Sequence, residues 1–396
     1  MDKIKQFFKS DLATGVLLMI ATIIAIIIAN SPLEGVYHHL ISGIKVLGEF
    51  NIHMIVNDFF MAIFFLVVGI EIKNEILYGH LSSFKKASFP VIAAFGGVIV
   101  PALIFMTINR NTEFLSGVGI PISTDIAFAL AVFMIFKNKL NPSLKIFLLS
   151  LAVVDDLISI FAIGILYSSH INYIFLIMAA LIMVLLLILN RVFKVEKVYP
   201  YILIGLMLWF CVYKSGVHPT ISGVLLAFVL PIKSSDKNSV SVANKIEHKL
   251  SSVSNLIILP LFAFTNTAIN LKVGPGTSAL DPLVNGIVLG LVVGKPLGVM
   301  LFSYVATKLN ITEKPQGSSW AAMFKVAMLS GIGFTMSIFV SELAFSYSEN
   351  LINIAKISIL ISSIITIILS YMMIVVLPEF RKKHVVIKRL EKMLHH

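Results

Sequence analysis

The chain has 396 residues, of which 58% are apolar and only 13% are charged, and its mean hydropathy is +0.96. Soluble proteins of this length carry about 25% charged residues, so the composition excludes an ordinary soluble domain. The formal net charge of +11 comes from basic residues scattered among the polar segments, which favours membrane topology signals over a nucleic-acid surface. The single cysteine, Cys211, lies in an apolar run, which excludes a disulfide framework and a cysteine-based metal site.

Apolar runs recur along the chain, each about as long as the roughly 20 residues that a helix needs to cross a bilayer. They predict an all-α polytopic membrane protein, with residues 1–396 forming a single membrane domain. Twelve spans are predicted, at residues 12–29, 56–73, 89–108, 113–136, 144–168, 172–190, 199–212, 217–231, 253–271, 284–305, 320–343 and 352–377. The first follows a basic start, but it is long and lacks a small-residue cleavage site, which predicts a retained helix and not a signal peptide.

The basic residues between the spans predict how the chain is oriented. With a cytoplasmic N-terminus, most of the 31 Lys and Arg residues fall on the cytoplasmic side, as the positive-inside rule requires. Both termini are therefore predicted to be cytoplasmic. Residues 378–396 form a basic, partly amphipathic tail, and the simplest interpretation is an anchor on anionic lipid of the bilayer.

Two spans contain residues that weaken a helix at its centre. The fourth carries Gly117, Gly119 and Pro121, and the eleventh carries Gly331 and Gly333. Glycine lowers helix propensity, and proline also removes a backbone donor. Unpaired backbone at membrane depth is tolerated only where it is buried in protein or lines a wet cavity. The alternative is that these glycines only allow close helix packing.

The two interrupted spans occupy matching places in two triplets, spans 3–5 and spans 10–12. The triplets lie an odd number of spans apart, so the second must cross the membrane in the opposite sense. This predicts inverted repeat halves at about 89–168 and 284–377. Interrupted helices at matching places in inverted halves are typical of a transporter site.

Four ionisable residues lie near the centres of spans, namely Asp125, Asp155, Asp156 and Lys295. Insertion scales put each charged group at roughly 2.5–3.5 kcal/mol, so the set needs partners or a function. A buried ion-pair set that only fixes helix packing is one explanation, but three carboxylates exceed one lysine. Asp125 and Lys295 are suited to compensating the partial charges at the ends of broken helices.

The doublet Asp155-Asp156 is the more specific signal. Neighbours on a helix point about 100° apart, so one carboxylate can pair with Lys295 while the other faces water. The two should titrate as a coupled unit. A carboxylate that takes either a proton or a hard cation has the chemistry for exchange, and Thr124 supplies a nearby hydroxyl. Na⁺ at Asp155 and Asp156 is the predicted metal, as transported substrate.

Eight segments of the chain, in order, resemble the NhaA-type Na⁺/H⁺ antiporter family. They are residues 64–76, 89–104, 123–132, 151–160, 214–228, 258–269, 293–299 and 330–339. The resemblance implies a transporter and not an enzyme, without a cofactor, with spans 4 and 11 unwound and crossing at mid-membrane. The family is among those on which the rule of paired broken helices rests, so that pattern is not independent support.

The resemblance also implies a pH-regulated, electrogenic exchange of Na⁺ or Li⁺ for H⁺ by a homodimer in the bacterial inner membrane. It makes Asp156 the more exposed carrier and Asp155 the partner of Lys295. The residues implied in the pH response are Glu71, Glu75, Glu247 and His248, with His218 elsewhere. Acids and histidines at span edges are also often merely solvated. Ser251 stands where the family often has a second histidine, so the pH response of this chain is expected to differ.

Two other classes of function are left open by the residues. An intramembrane aspartyl protease needs two carboxylates that share a proton, and Asp125 and Asp155 lie on successive spans. Its usual Gly-x-Gly-Asp context is missing, because Gly333 is followed by Phe334. A sodium-coupled solute symporter would need a solute pocket, and nothing outside the acidic cluster predicts one. The sequence carries no nucleotide-binding motif for ATP-driven transport.

Overall fold

The computed structural model describes residues 11–168, 171–233, 240–271, 281–315 and 317–377. Its helices are α1 (Asp11–Ala29), α2 (Ile52–Leu77), α3 (Phe84–Ile108), α4 (Ile126–Ile135), α5 (Pro142–Leu166), α6 (Tyr173–Arg191), α7 (Val198–Ser215), α8 (Ile221–Val229), α9 (Val242–Val253), α10 (Leu259–Asn266), α11 (Pro282–Lys308), α12 (Trp320–Ser330), α13 (Phe334–Ala344) and α14 (Glu349–Val376). The predicted tail, residues 378–396, and the basic start of the chain lie outside the described residues.

The described helices confirm the all-α membrane fold. Eight of them, α1, α2, α3, α5, α6, α7, α11 and α14, are long and apolar enough to cross a bilayer. The pair α12 and α13 adds a span that is bent by 45° at its break. The three remaining predicted spans, 113–136, 217–231 and 253–271, contain the shorter helices α4, α8 and α10.

Some elements were not predicted from the sequence. Between α1 and α2 lie a short helix, Glu34–His38, and a hairpin of β1 (Lys45–Leu47) and β2 (Phe50–Asn51). The helix α9 begins at the cap residue Ser241 and continues through the π-helical turn Ser254–Ile258 into α10.

The helices α3 and α11, which begin the two predicted halves, touch along their backbones. A Cβ on Gly96 would meet the carbonyl oxygen of Gly298, and a Cβ on Gly298 would meet that of Gly96. Small residues of this kind let membrane helices approach closely. The contact is reciprocal between the two helices. The inverted orientation of residues 89–168 and 284–377 stays a prediction.

The outer surface of the bundle is apolar where lipid would surround it. In α6 only 11% of the most apolar window is buried within the described structure, and side chains such as Ile174 and Leu181 are exposed. An apolar surface of this kind suits hydrocarbon and not water. Helices α5 and α13, by contrast, place most of their side chains in the core.

Candidate functional site

The breaks of the fourth and eleventh spans meet inside the bundle and bind each other. The Asp125 backbone N–H donates to the Ile332 carbonyl oxygen at 2.8 Å, and the Thr124 hydroxyl donates to the Ser330 carbonyl oxygen at 2.9 Å. Each break therefore supplies partners to backbone groups that the other leaves without a helical bond. Such pairing is what non-helical backbone needs in a water-poor environment.

The local sequence explains why the helices stop here. A 3₁₀ segment, Glu113–Gly119, ends just before Pro121, whose ring and missing N–H oppose a regular helix. In the other break, a Cβ on Gly331 would meet the backbone carbonyl oxygen of Leu291 on α11. Glycine at that position therefore allows the second break to lie directly against α11.

Asp125 lies where the two half-helices begin. Its carboxylate accepts a hydrogen bond from the Phe128 N–H at 2.9 Å, in the first turn of α4. It also accepts from the Thr335 N–H at 3.1 Å and from the Thr335 hydroxyl, in the first turn of α13. The N-termini of helices carry partial positive charge, so one buried anion faces two positive ends. This is the geometry that charge compensation by Asp125 requires.

Lys295 joins the doublet to the broken span. Its Nζ lies 2.7 Å from Asp155 Oδ2, and both residues are only 1% exposed. The same ammonium donates to the carbonyl oxygen of Ile122, in the turn before Thr124. Lys295 therefore neutralises one carboxylate of the doublet and satisfies a carbonyl that the helix break leaves free.

Asp156 has a different environment from Asp155. Its Oδ1 is buried and has no hydrogen-bond partner within the described part of the chain. Asp156 lines a cavity of about 380 Å³, whereas Asp155 does not. Both side chains are almost fully buried, Asp156 at 2% and Asp155 at 1%, so the greater exposure of Asp156 stays a prediction.

Oxygen atoms other than the doublet also lie at the crossing. The Thr124 hydroxyl lies beside the Asp155 carboxylate, although its proton goes to Ser330. Among the described residues, no group of three or more His, Cys, Asp or Glu side chains is placed to hold a metal ion. Hydroxyl and carbonyl oxygens are nevertheless ligands that hard cations accept, and the crossing supplies them beside Asp155 and Asp156.

The cavity brings Asp156 and three predicted pH-response residues into one space. Its polar lining beyond the crossing consists of Thr14, Glu71, Asn74, Glu75, Glu247, Ser254 and Asn255. Glu71 is exposed, while Asp156 is buried, so the cavity leads from the surface to the carboxylate. The Asn74 amide donates to Glu247 Oε2 at 2.9 Å and to Asn244 Oδ1 at 3.1 Å, which ties α2 to α9.

The other predicted pH-response residues are not all in this cavity. His248 is exposed and does not line it. His218 lies elsewhere, with Nε2 3.8 Å from Asp58 Oδ1 and Nδ1 2.8 Å from the Thr220 hydroxyl. Burial raises the pKa of Glu247, and nearby His248 and the hydrogen bond from Asn74 oppose that effect. The structure thus groups Glu71, Glu75 and Glu247 in the cavity, leaves His248 outside its lining but close to Glu247, and places His218 elsewhere.

Sequence reasoning did not select Asn74, Thr335, Ser254 or Asn255 as site residues. Asn74 follows Glu71 by three positions, which places both on one face of a helix. Thr335 is the second residue of the half-helix after the Gly331–Gly333 break. The spacing from Glu71 could therefore have identified Asn74, and the position after the Gly331–Gly333 break could have identified Thr335.

Crossed broken helices over buried carboxylates, inside a bundle of apolar helices, define a polytopic ion transporter. The profile of the family described as Na⁺/H⁺ antiporter 1 matches residues 5–374. The chain is 43% identical over 387 residues to "Na(+)/H(+) antiporter NhaA 2" of Aliarcobacter butzleri, covering 94% of this chain and 96% of that protein. It is also 43% identical over 390 residues to "Na(+)/H(+) antiporter NhaA" of Shewanella frigidimarina, covering 96% and 98%. The chain therefore belongs to the Na⁺/H⁺ antiporter 1 family.

Proposed function

We propose that this chain exchanges Na⁺ or Li⁺ for H⁺ across the bacterial inner membrane. Membership of the antiporter family supports Na⁺/H⁺ exchange and does not favour a sodium-coupled symporter. The observation that carries the proposal is the position of Asp156. Its Oδ1 is buried without a partner in the described structure, and the residue lines the cavity beside the Asp155–Lys295 pair.

The chemistry follows from the cost of a buried anion. An ionised carboxylate without a partner is unfavourable away from water, so it takes a proton or a cation. Asp156 can be neutralised by either, but full occupation by both is excluded. Asp155 and Thr124 supply further oxygens, while Lys295 and Asp125 hold the crossing in place. If the site faces each side of the membrane in turn, competition between proton and cation becomes exchange.

Finer properties belong to the same proposal. We infer that more than one H⁺ is exchanged for each Na⁺, which would make exchange electrogenic. Glu71, Glu75 and Glu247 line the access path with His248 nearby, so we place the pH response of transport at this cluster. We also propose a homodimer with both termini in the cytoplasm.

The test is dye-reported ΔpH in everted membrane vesicles, with Na⁺, Li⁺ or K⁺ added across roughly pH 6–9. Wild type should collapse the proton gradient on addition of Na⁺ or Li⁺, and Asp156→Asn should not. Glu113→Gln, which removes an exposed carboxylate outside the site, is the matched control and should behave as wild type. Unchanged exchange in a well-folded Asp156→Asn protein would refute the proposal.

A further inference from the structure

One wall of the cavity carries a buried hydroxyl that nothing so far explains. Ser254 is 0% exposed, and its Oγ has no hydrogen-bond partner within the described part of the chain. Ser254 and its neighbour Asn255 both line the cavity that holds Asp156. An unsatisfied buried hydroxyl lowers stability, so an apolar residue here would make a more stable protein. The polar pair therefore has a use other than packing.

The backbone at this point departs from a regular α-helix. Ser254–Ile258 form a π-helical turn between α9 and α10, one of five π-helical segments in the described residues. Pro260 comes two positions after Ile258, as the second residue of α10. Proline has no N–H and its ring displaces the carbonyl of the preceding turn, so one carbonyl oxygen there lacks its helical donor. Single π-helical turns inside helices occur frequently at functional sites. Side-chain and backbone oxygens are thus concentrated on one turn.

The position of this turn along the cavity is defined by Glu247. Ser254 follows Glu247 by seven residues, or two helical turns, so both lie on one face about 10 Å apart along the axis. Both also line the cavity, as does the exposed Glu71 of α2. Hydroxyl and amide oxygens therefore line the same cavity as the carboxylates of the access path and the buried Asp156.

We propose that Ser254 and Asn255 form a second, weaker site for an alkali cation, in which Na⁺ or Li⁺ pauses on its way to Asp156. The Ser254 hydroxyl and the Asn255 amide oxygen supply neutral oxygen ligands, and Glu71 and Glu247 supply the balancing charge. Neutral oxygens with a carboxylate nearby suit a hard cation that keeps part of its water. This inference rests on the proposed function and adds a binding site to it.

The transport test uses Ser254→Val with Asn255→Leu in the full chain, reconstituted in proteoliposomes. The Na⁺ concentration for half-maximal exchange should rise about tenfold, while the rate at saturating Na⁺ stays near that of wild type. Ser252→Ala, an exposed serine two residues away, is the matched control and should show no change. Ser254→Thr keeps the hydroxyl and should retain wild-type affinity. An unchanged half-saturation concentration in the double variant overturns the proposal, as does a change confined to the pH profile.

A binding test separates this inference from the proposed function. Radioactive Na⁺ bound to purified Asp156→Asn protein should show weak residual binding, and adding Ser254→Val with Asn255→Leu should abolish it. Residual binding that survives those changes overturns the second site. Loss of all exchange in wild type would refute the antiporter itself, yet it would leave this binding experiment readable. Thermal unfolding adds a check. Ser254→Ala should keep or raise the stability of the protein, whereas replacing a serine that is needed only for packing would lower it.

Discussion

At the scale of single residues, Asp155 and Asp156 have different roles because their carboxylates have different neighbours. Asp155 is bonded to Lys295 at 2.7 Å through one oxygen, whereas Asp156 lines the cavity and has no ion-pair partner within the described chain. A charge that is paired in a buried site is retained in its ionised form, and a charge without a partner is neutralised by what reaches it. Asp155 therefore stays paired with Lys295, while Asp156 carries the proton or the cation.

The Asp155–Lys295 pair can be tested through stability. Lys295→Ala leaves the Asp155 carboxylate buried without its partner, so the free energy of unfolding should fall by about 3–5 kcal/mol. Thermal unfolding of the purified protein in detergent measures the loss. The double variant Asp155→Asn with Lys295→Ala removes both charges and should recover part of it. If the double variant is less stable than Lys295→Ala alone, the pair does not have the role assigned to it.

Glu247 gives a prediction about pH. Because burial raises the pKa of Glu247, the folded protein holds a proton on this carboxyl more tightly than the unfolded chain does. Ionised Glu247 therefore lowers stability at pH values above its folded pKa, and the loss disappears as the pH falls through that pKa. Glu247→Gln should raise the melting temperature at alkaline pH and leave it unchanged in acid. The amide oxygen of Gln can still accept the bond from Asn74.

The control for that experiment is Glu113→Gln, at an exposed carboxylate remote from the cavity. It should leave the dependence of the melting temperature on pH as in wild type. A gain in stability for Glu247→Gln that appears in acid and vanishes in alkali would have the wrong sign, and would show that burial does not control this carboxyl.

At the scale of elements, the crossing depends on how closely two broken helices can approach their neighbours. Gly331→Ala would place a Cβ against the Leu291 carbonyl oxygen, and neither backbone can move without displacing the other. Overpacking of this kind costs about 1–3 kcal/mol, and here it would also shift the Asp125 and Thr335 ends of the half-helices. We expect lower thermal stability together with a reduced exchange rate.

Gly35→Ala is the matched control, since a Cβ there meets nothing within 4 Å. It should leave both readouts near wild type. Normal stability and normal exchange in Gly331→Ala would show that the close approach of the second break to α11 is not needed.

Much of this element structure could be predicted from the sequence. Long apolar runs set the spans, and Pro121, Gly331 and Gly333 marked the breaks, because both signals act locally. The hydrogen bonds that join the breaks, such as Asp125 to Ile332, could not be predicted from residue patterns, because they depend on how distant segments pack. The same holds for the burial of Asp156 and for the bond from Asn74 to Glu247. The helix α9 was missed because it lies outside the apolar runs.

At the scale of the whole molecule, the sequence predicts which side of the membrane each loop faces, and this topology can be tested by labelling. Loops on the two sides of α3 should face opposite compartments, with His80 in the cytoplasm and Arg110 outside. Both residues are exposed, and the only native cysteine, Cys211, is buried. A membrane-impermeant thiol reagent applied to intact cells made permeable only in their outer membrane should label Arg110→Cys and spare His80→Cys.

Everted inner-membrane vesicles should give the opposite pattern, with His80→Cys labelled and Arg110→Cys protected. Labelling of both variants from one side would place the two loops in the same compartment. That result would contradict the predicted topology and the inverted halves that follow from it.

The central claim is that Asp156 holds either a proton or an alkali cation. It is tested most directly by adding Na⁺ to the purified protein in weakly buffered detergent solution and recording the pH. We predict that Na⁺ binding releases protons from wild type and that Asp156→Asn releases none. Binding of Na⁺ to wild type without proton release, or equal release from Asp156→Asn, would contradict the account.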